Sequence, residues 1–200
     1  MLLRSGDASS LVVDSLCDWA CGRNVAVACF YFDFAAQKEQ SPTCILSSIL
    51  KQVVSGLEEI PEMIVQAFQD QEKVIGGRRL SLGQIIEMLS AISSSRRTFI
   101  CIDALDECLA EYRAKLLDSL RRILHQSPTT QIFLAGRLHI RDEVEKHLAW
   151  RVTAVCVTPT KDDIIQFLRA RLREDIIPDA MDKSLEEDII NGIPERLSEM

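Results

Sequence analysis

"TFICIDALDECLAEY", residues 98–112, sets a run of β-type and apolar residues directly ahead of three acids, Asp103, Asp106 and Glu107. Thr98–Ile102 shows no polar alternation, the mark of a strand buried on both faces in a parallel sheet covered by helices. Ligands of open α/β sheets gather at the carboxyl ends of strands, and Asp103 is the first charged residue past this one. A carboxylate there can hold Mg²⁺ through water, because Mg²⁺ keeps much of its hydration shell. Acids a few residues further on can orient or deprotonate an attacking water, and Asp106 and Glu107 are the candidates. The plainer alternative is that Asp106 caps the amphipathic helix expected over roughly 111–125.

Outward from this stretch, strand and helix patterns alternate. "VAVACFYFDF" (25–34) is a second buried-strand run, and "QIFLAGR" (131–137) and "RVTAVCV" (151–157) are two more. Strands are therefore expected near 25–34, 98–103, 131–136 and 152–157. Residues 9–19 have helical spacing, and Gly22 follows at a C-cap position. "SPTCILSSILKQVVSGL" (41–57) has Ser41 as N-cap, Pro42 at the first helical position and one apolar stripe. Further helices are expected after Pro61, over 81–93, and over "RDEVEKHL", with a loop at Gly76-Gly77-Arg78-Arg79. Thr160 with Asp163, and Ser184 with Glu187, stand in capping-box spacing ahead of two more. This order predicts an α/β doubly wound fold, a mostly parallel sheet with helices on both faces.

A net charge of −7 argues against a nucleic-acid partner, since phosphate binding needs clustered Lys and Arg and the basic pairs here are scattered. No apolar run approaches the roughly 20 residues a membrane span needs, so a soluble, cytoplasmic protein with no membrane partner is expected. The seven cysteines form no Cys-x-x-Cys pair, and Cys29, Cys44, Cys101 and Cys156 lie in apolar stretches. They are expected to be buried free thiols in a reducing compartment.

"FICIDALDEC" resembles the extended Walker B of NACHT-domain NTPases, a branch of the STAND class of P-loop signal-transduction ATPases. In that pattern a small residue, here Ala104, follows the magnesium-binding Asp103, and the paired acids are Asp106-Glu107. "VACFYFDF" with "SPTCILSSILKQV" resembles the second strand and helix of fungal NACHT proteins with a nephrocystin-3-like N-terminal domain. "TTQIFLAGRLHIRDEVEKHL" resembles their sensor-1 strand, so Arg137 matches the sensor arginine, although Gly136 and Leu138 replace the usual Ser and Pro. "IINGIPERLSEM" resembles the start of the helical region that follows the core. The resemblance implies a P-loop NTPase-like core over 1–157 and the beginning of a helical domain over 158–200. It implies Mg²⁺ held by Asp103, ATP or GTP as the family's ligand, Asp106 or Glu107 as base or water-positioning group, and Arg137 as sensor.

A phosphate-gripping loop needs Gly-x-x-x-x-Gly-Lys-Ser/Thr. The family's register places its lysine near Ser5, where "MLLRSGDAS" has one glycine and no lysine. The expectation is a degenerate or truncated nucleotide-switch module of a signalling or regulatory protein. It would bind no nucleotide tightly, lack NTPase activity of its own and act through other NACHT chains or flanking domains. The alternative is an active Mg²⁺-dependent ATP/GTP switch whose Walker A lies upstream.

Overall fold

The computed structural model describes residues 7–72, 80–148, 152–155, 160–173 and 183–198. Three parallel strands, β1 (Val25–Tyr31), β2 (Arg97–Asp103) and β3 (Thr130–Leu134), lie in the order β1-β2-β3. Val25 pairs with Arg97 and Tyr31 with Asp103 on one side of β2, and Thr98 pairs with Thr130 and Ile102 with Leu134 on the other. The sequence around residue 98 thus forms the central strand, the position with most ladder hydrogen bonds and least solvent.

Helices cover both faces. On the first, the alternate residues Ala26, Ala28, Ile100 and Ile102 join one core with α2 (Pro42–Ser55), α3 (Glu62–Glu72), α4 (Leu82–Ser95) and α5 (Ala110–Gln126). The expected stripe of α2 is the one that is buried: Ile45, Leu46, Ile49, Leu50 and Val53. Ser41 accepts from the Cys44 N–H, and at α4 Ser81 and Gln84 close a full capping box. Each fully buried Ile or Leu here contributes about 1.5–3 kcal/mol, so this layer is the main source of stability. On the second face lies α1 (Asp7–Ala20), whose Trp19 meets Phe99 edge-on with centroids 5.8 Å apart. Gly22, at φ +70°, supplies the left-handed turn out of α1. One helix leaves this face partly open, with Tyr31 and Phe133 exposed.

The two sheet edges differ. Along β1, the Gln52 side chain reaches back from α2, accepts the Cys29 N–H at 2.9 Å and donates to the Cys29 carbonyl at 2.8 Å. An amide used this way imitates a strand and closes the edge. On β3, the Ala135 N–H and carbonyl point to β2, bonding Ile102 and Leu105. By alternation those of Ile132 and Leu134 point outward, and no described residue pairs with them.

Several expectations change. β1 stops at Tyr31 rather than at 34, because Asp33 turns the chain into a 3₁₀ turn, Phe34–Ala36, by accepting the Ala35 N–H. The strand expected at 152–157 does not form over 152–155, where Val155 is 78% exposed. A β-type run needs a neighbouring ladder, and none is offered to these residues. Cys44 is exposed because it lies off the buried stripe of α2, while Cys101 and Cys108 are buried. Ser184 falls inside its helix rather than at its cap. Residues 1–6, 76–79 and 156–159 lie outside the described residues, and with them the stretch around Ser5, the glycine-arginine loop and Cys156.

The chain packs as two compact units. The one just described spans Arg4–Thr153 and ends with α6 (Arg141–Leu148); the other contains Ala154–Met200. In the second unit α7 (Lys161–Arg173) packs against α8 (Lys183–Ser198). Thr160 and Asp163 there cap α7 reciprocally, at 2.8 Å and 3.2 Å, and the Thr160 hydroxyl, donating to the carboxylate at 2.7 Å, together with the Thr160 N–H holds the Asp163 carboxyl below its usual range. No helix among the described residues is long and apolar enough to cross a membrane.

Candidate functional site

The carboxyl end of β2 is built by one unusual residue. Ala104 takes the left-handed conformation, φ 53° and ψ 40°, and is the only non-glycine among the described residues with positive φ. The turn lets Leu105 donate to the Ala135 carbonyl at 2.9 Å, so the acid loop stays stitched to the end of β3. A 3₁₀ turn, Leu105–Glu107, follows, with Leu105 fully buried as its anchor.

Asp103 is buried, at 7% exposure, and its Oδ1 accepts the Ala104 N–H at 2.8 Å. The other oxygen makes no bond within the described residues. Beside it is a shallow, mostly apolar groove lined by Val13, Tyr31, Cys101 and Phe133. Asp106 is committed elsewhere: Oδ1 accepts the Arg137 N–H at 3.1 Å, and Oδ2 lies 3.3 Å from Arg137 Nε. The Arg137 side chain is 64% exposed while that of Asp106 is 8% exposed, so the pair is anchored from the acid's side. Glu107 uses its backbone N–H on the Ala104 carbonyl, and its carboxylate is bonded to no described residue.

The structure therefore brings Arg137 onto Asp106 and sets both at the strand ends beside Asp103. Gly136 is what permits the approach: a Cβ there would lie 2.9 Å from Ile140 Cδ1 and 3.3 Å from Asp106 Oδ1. A serine in its place would crowd that carboxylate.

One contributor was not legible in the sequence. Arg113, on the first turns of α5, donates to the Asp106 and Cys108 carbonyls at 3.4 and 3.0 Å and pairs with Glu143 of α6 at 2.8 Å. It ties the acid loop to two helices. In the sequence it reads as an ordinary charge on an amphipathic helix, and no spacing rule links it to Glu143, 30 residues away.

As to what the site can hold, no group of three or more His, Cys, Asp or Glu among the described residues is arranged to bind a metal. Mg²⁺ asks for less: one or two carboxylates suffice when water and phosphate oxygens complete its octahedron. The second oxygen of Asp103, bonded to no described residue, fits that limited demand. It does not fit a fully protein-ligated ion.

A parallel sheet with helices on both faces and acids past its central strand defines a doubly wound α/β protein. The chain matches the model of the family described as "Nephrocystin 3, N-terminal" over residues 7–137, more than half its length, and belongs to that family. The family is associated with NACHT P-loop NTPases. A comparison with curated proteins gives no significant match. Among solved structures it is similar to the Orc1 protein of Aeropyrum pernix in complex with DNA, with 22% identity over 83% of this chain and 40% of that one and a TM-score of 0.48. It is also similar to the Walker-type ATPase PABY2304 of Pyrococcus abyssi, with 16% identity over 93% of this chain and 63% of that one and a TM-score of 0.48. The chain thus spans less than two thirds of either structure.

Proposed function

We propose that this chain is the NACHT-type nucleotide-switch module of a signalling or regulatory protein, with a weak grip on nucleotide and a role carried by contact with other NACHT chains or flanking domains. The observation behind this reading is that the acid cluster is partly satisfied by its own surroundings. Asp106 is held by Arg137, and one oxygen of Asp103 by its own loop. What remains for a ligand is the second oxygen of Asp103 and the carboxylate of Glu107.

In this reading Asp103 holds Mg²⁺ through water, and Mg²⁺ when bound neutralises charge on a di- or triphosphate. Glu107, being unengaged, is a better water-positioning group than Asp106. Arg137 acts as a sensor by exchanging Asp106 for phosphate oxygens. Most of the grip on phosphate in this class comes from backbone N–H groups and a lysine, and no Gly-x-x-x-x-Gly-Lys-Ser/Thr stretch occurs in the 200 residues. Losing such contacts, at about 1.5–3 kcal/mol each, lowers affinity by orders of magnitude. α7 and α8 belong to a helical domain that follows the core, and the outward edge of β3 is where a strand from a partner or flanking segment adds.

A second reading, an active Mg²⁺-dependent ATP or GTP switch completed by an upstream phosphate loop, is favoured by the retained Asp103 and free Glu107. Calorimetric titration with Mg·ATP and Mg·GTP separates the two. No binding below millimolar concentration supports the first. A micromolar Kd that is lost in Asp103→Ala supports the second.

A further inference from the structure

Cys29 of β1 and Cys101 of β2 are direct register partners in the parallel ladder. Side chains of register partners lie on one face of a sheet, and strands sit about 4.8 Å apart, within the Cα separation of about 4.4–6.8 Å that a disulfide spans. The two thiols therefore lie side by side on one face of the sheet. Their environments differ: Cys101 is buried at 4% exposure, whereas Cys29 is half-buried and the more exposed of the two.

We propose that Cys29 and Cys101 form a peroxide-oxidisable dithiol site, in which Cys29 attacks the oxidant and Cys101 closes a disulfide between β1 and β2. The neighbouring Cys101 thiol lowers the Cys29 pKa, against the opposing effects of burial and Asp14, while Cys29 and burial raise the Cys101 pKa. One thiolate supported by a neighbouring thiol is the arrangement of a reactive cysteine with its resolving partner. Cys17 of α1 also lies near Cys29, but its own pKa is raised by burial and by Cys29, Asp14 and Asp18. No group of three or more His, Cys, Asp or Glu that could hold a metal is formed among the described residues, these thiols included.

The steps balance. The Cys29 thiolate takes one oxygen from hydrogen peroxide, and with one proton the products are Cys29 sulfenic acid and water. The Cys101 thiol then attacks the Cys29 sulfur, water leaves, and the disulfide remains. The bond would staple the two strands two residues before Tyr31 and Asp103, at the base of the groove beside the acid cluster. In a reducing compartment such a bond is transient, which suits a sensor rather than a structural staple.

The test uses the intact 200-residue chain, treated with about one equivalent of hydrogen peroxide, blocked with N-ethylmaleimide and digested with trypsin. The expected product joins peptides 24–38 and 98–113, fragmentation places the bond on Cys101 rather than Cys108, and dithiothreitol reverses it. A link between 5–23 and 24–38, or oxidation confined to Cys17, Cys21 and Cys44, would overturn the proposal. Two variants, each checked for folding by circular dichroism, sharpen it. In Cys101→Ala, Cys29 should accumulate as a dimedone-trapped sulfenic acid, and its iodoacetamide alkylation at pH 7 should slow several-fold. In Cys101→Ser, whose hydroxyl can donate to Cys29 in place of the thiol, alkylation should stay close to wild type. Equal alkylation rates in wild type and both variants would show that Cys101 does not support Cys29 and would sink the assignment. Because the wild-type cross-link is read directly, a misfolded variant does not rescue a negative result.

Discussion

Ala104 occupies a conformation that costs an L-residue about 1–2 kcal/mol, and it does so while buried at 4% exposure. Both facts demand a small side chain. Ala104→Gly should therefore change stability by less than about 1 kcal/mol, since relieved strain offsets the extra freedom of the unfolded chain. Ala104→Val should cost about 2–4 kcal/mol, from a β-branched side chain in the left-handed region and overpacking beneath Leu105. Urea denaturation of both variants checks this; equal losses would show that the turn is not what selects the residue. The acids themselves were legible because strand burial and carboxylate clustering are local patterns. Their commitments were not. Asp106 reads in the sequence as a free catalytic carboxylate, and in the fold it is bonded at both oxygens by Arg137.

At the scale of elements, β1 and β3 show how one sheet treats its two edges. Gln52 sits on α2 between the buried positions Leu50 and Val53, where a half-buried polar residue looks like a boundary residue of the stripe. The structure gives it a specific task, satisfying the N–H and carbonyl of Cys29. Gln52→Leu should destabilise the protein by about 1–3 kcal/mol by leaving both groups unpaired, and should promote concentration-dependent association through the reopened edge. Gln52→Glu keeps the shape and one acceptor but loses the donor, so it should fall between Leu and wild type. Thermal melts combined with analytical ultracentrifugation read both effects. A monomeric, fully stable Gln52→Leu protein would show that the amide is incidental. For β3, in contrast, the outward groups of Ile132 and Leu134 have no such device among the described residues.

Across the whole molecule, protection from solvent should be graded by position in the sheet rather than by sequence hydrophobicity. β2 is hydrogen-bonded on both sides and packed between α1 and the α2, α4 and α5 layer, so its amides at Ile100–Ile102 should exchange only in global unfolding. The amides of Ile132 and Leu134 point out of the ladder and should exchange orders of magnitude faster, although both residues are apolar and half-buried. Hydrogen exchange followed by mass spectrometry or NMR would test this. Slow exchange at 132 and 134 in the isolated chain would mean that the edge is already covered, and would argue against β3 as the contact surface.

By itself the sequence determined the elements and the layer order. Capping residues, apolar stripes with helical spacing and unbroken β-type runs are local patterns, and so is a strand that ends in three acids. Only the tertiary structure decided which groups meet. Arg113 spans the acid loop and α6, Arg137 closes on Asp106, Gln52 plugs the edge of β1, and Cys29 lies opposite Cys101. Residues 152–155 have the composition of a strand and are not one. Propensity is a property of a segment, whereas a ladder, an ion pair or a thiol pair requires a second segment brought within a few ångströms. That distance is set by how the helices and strands pack, and no local spacing encodes it.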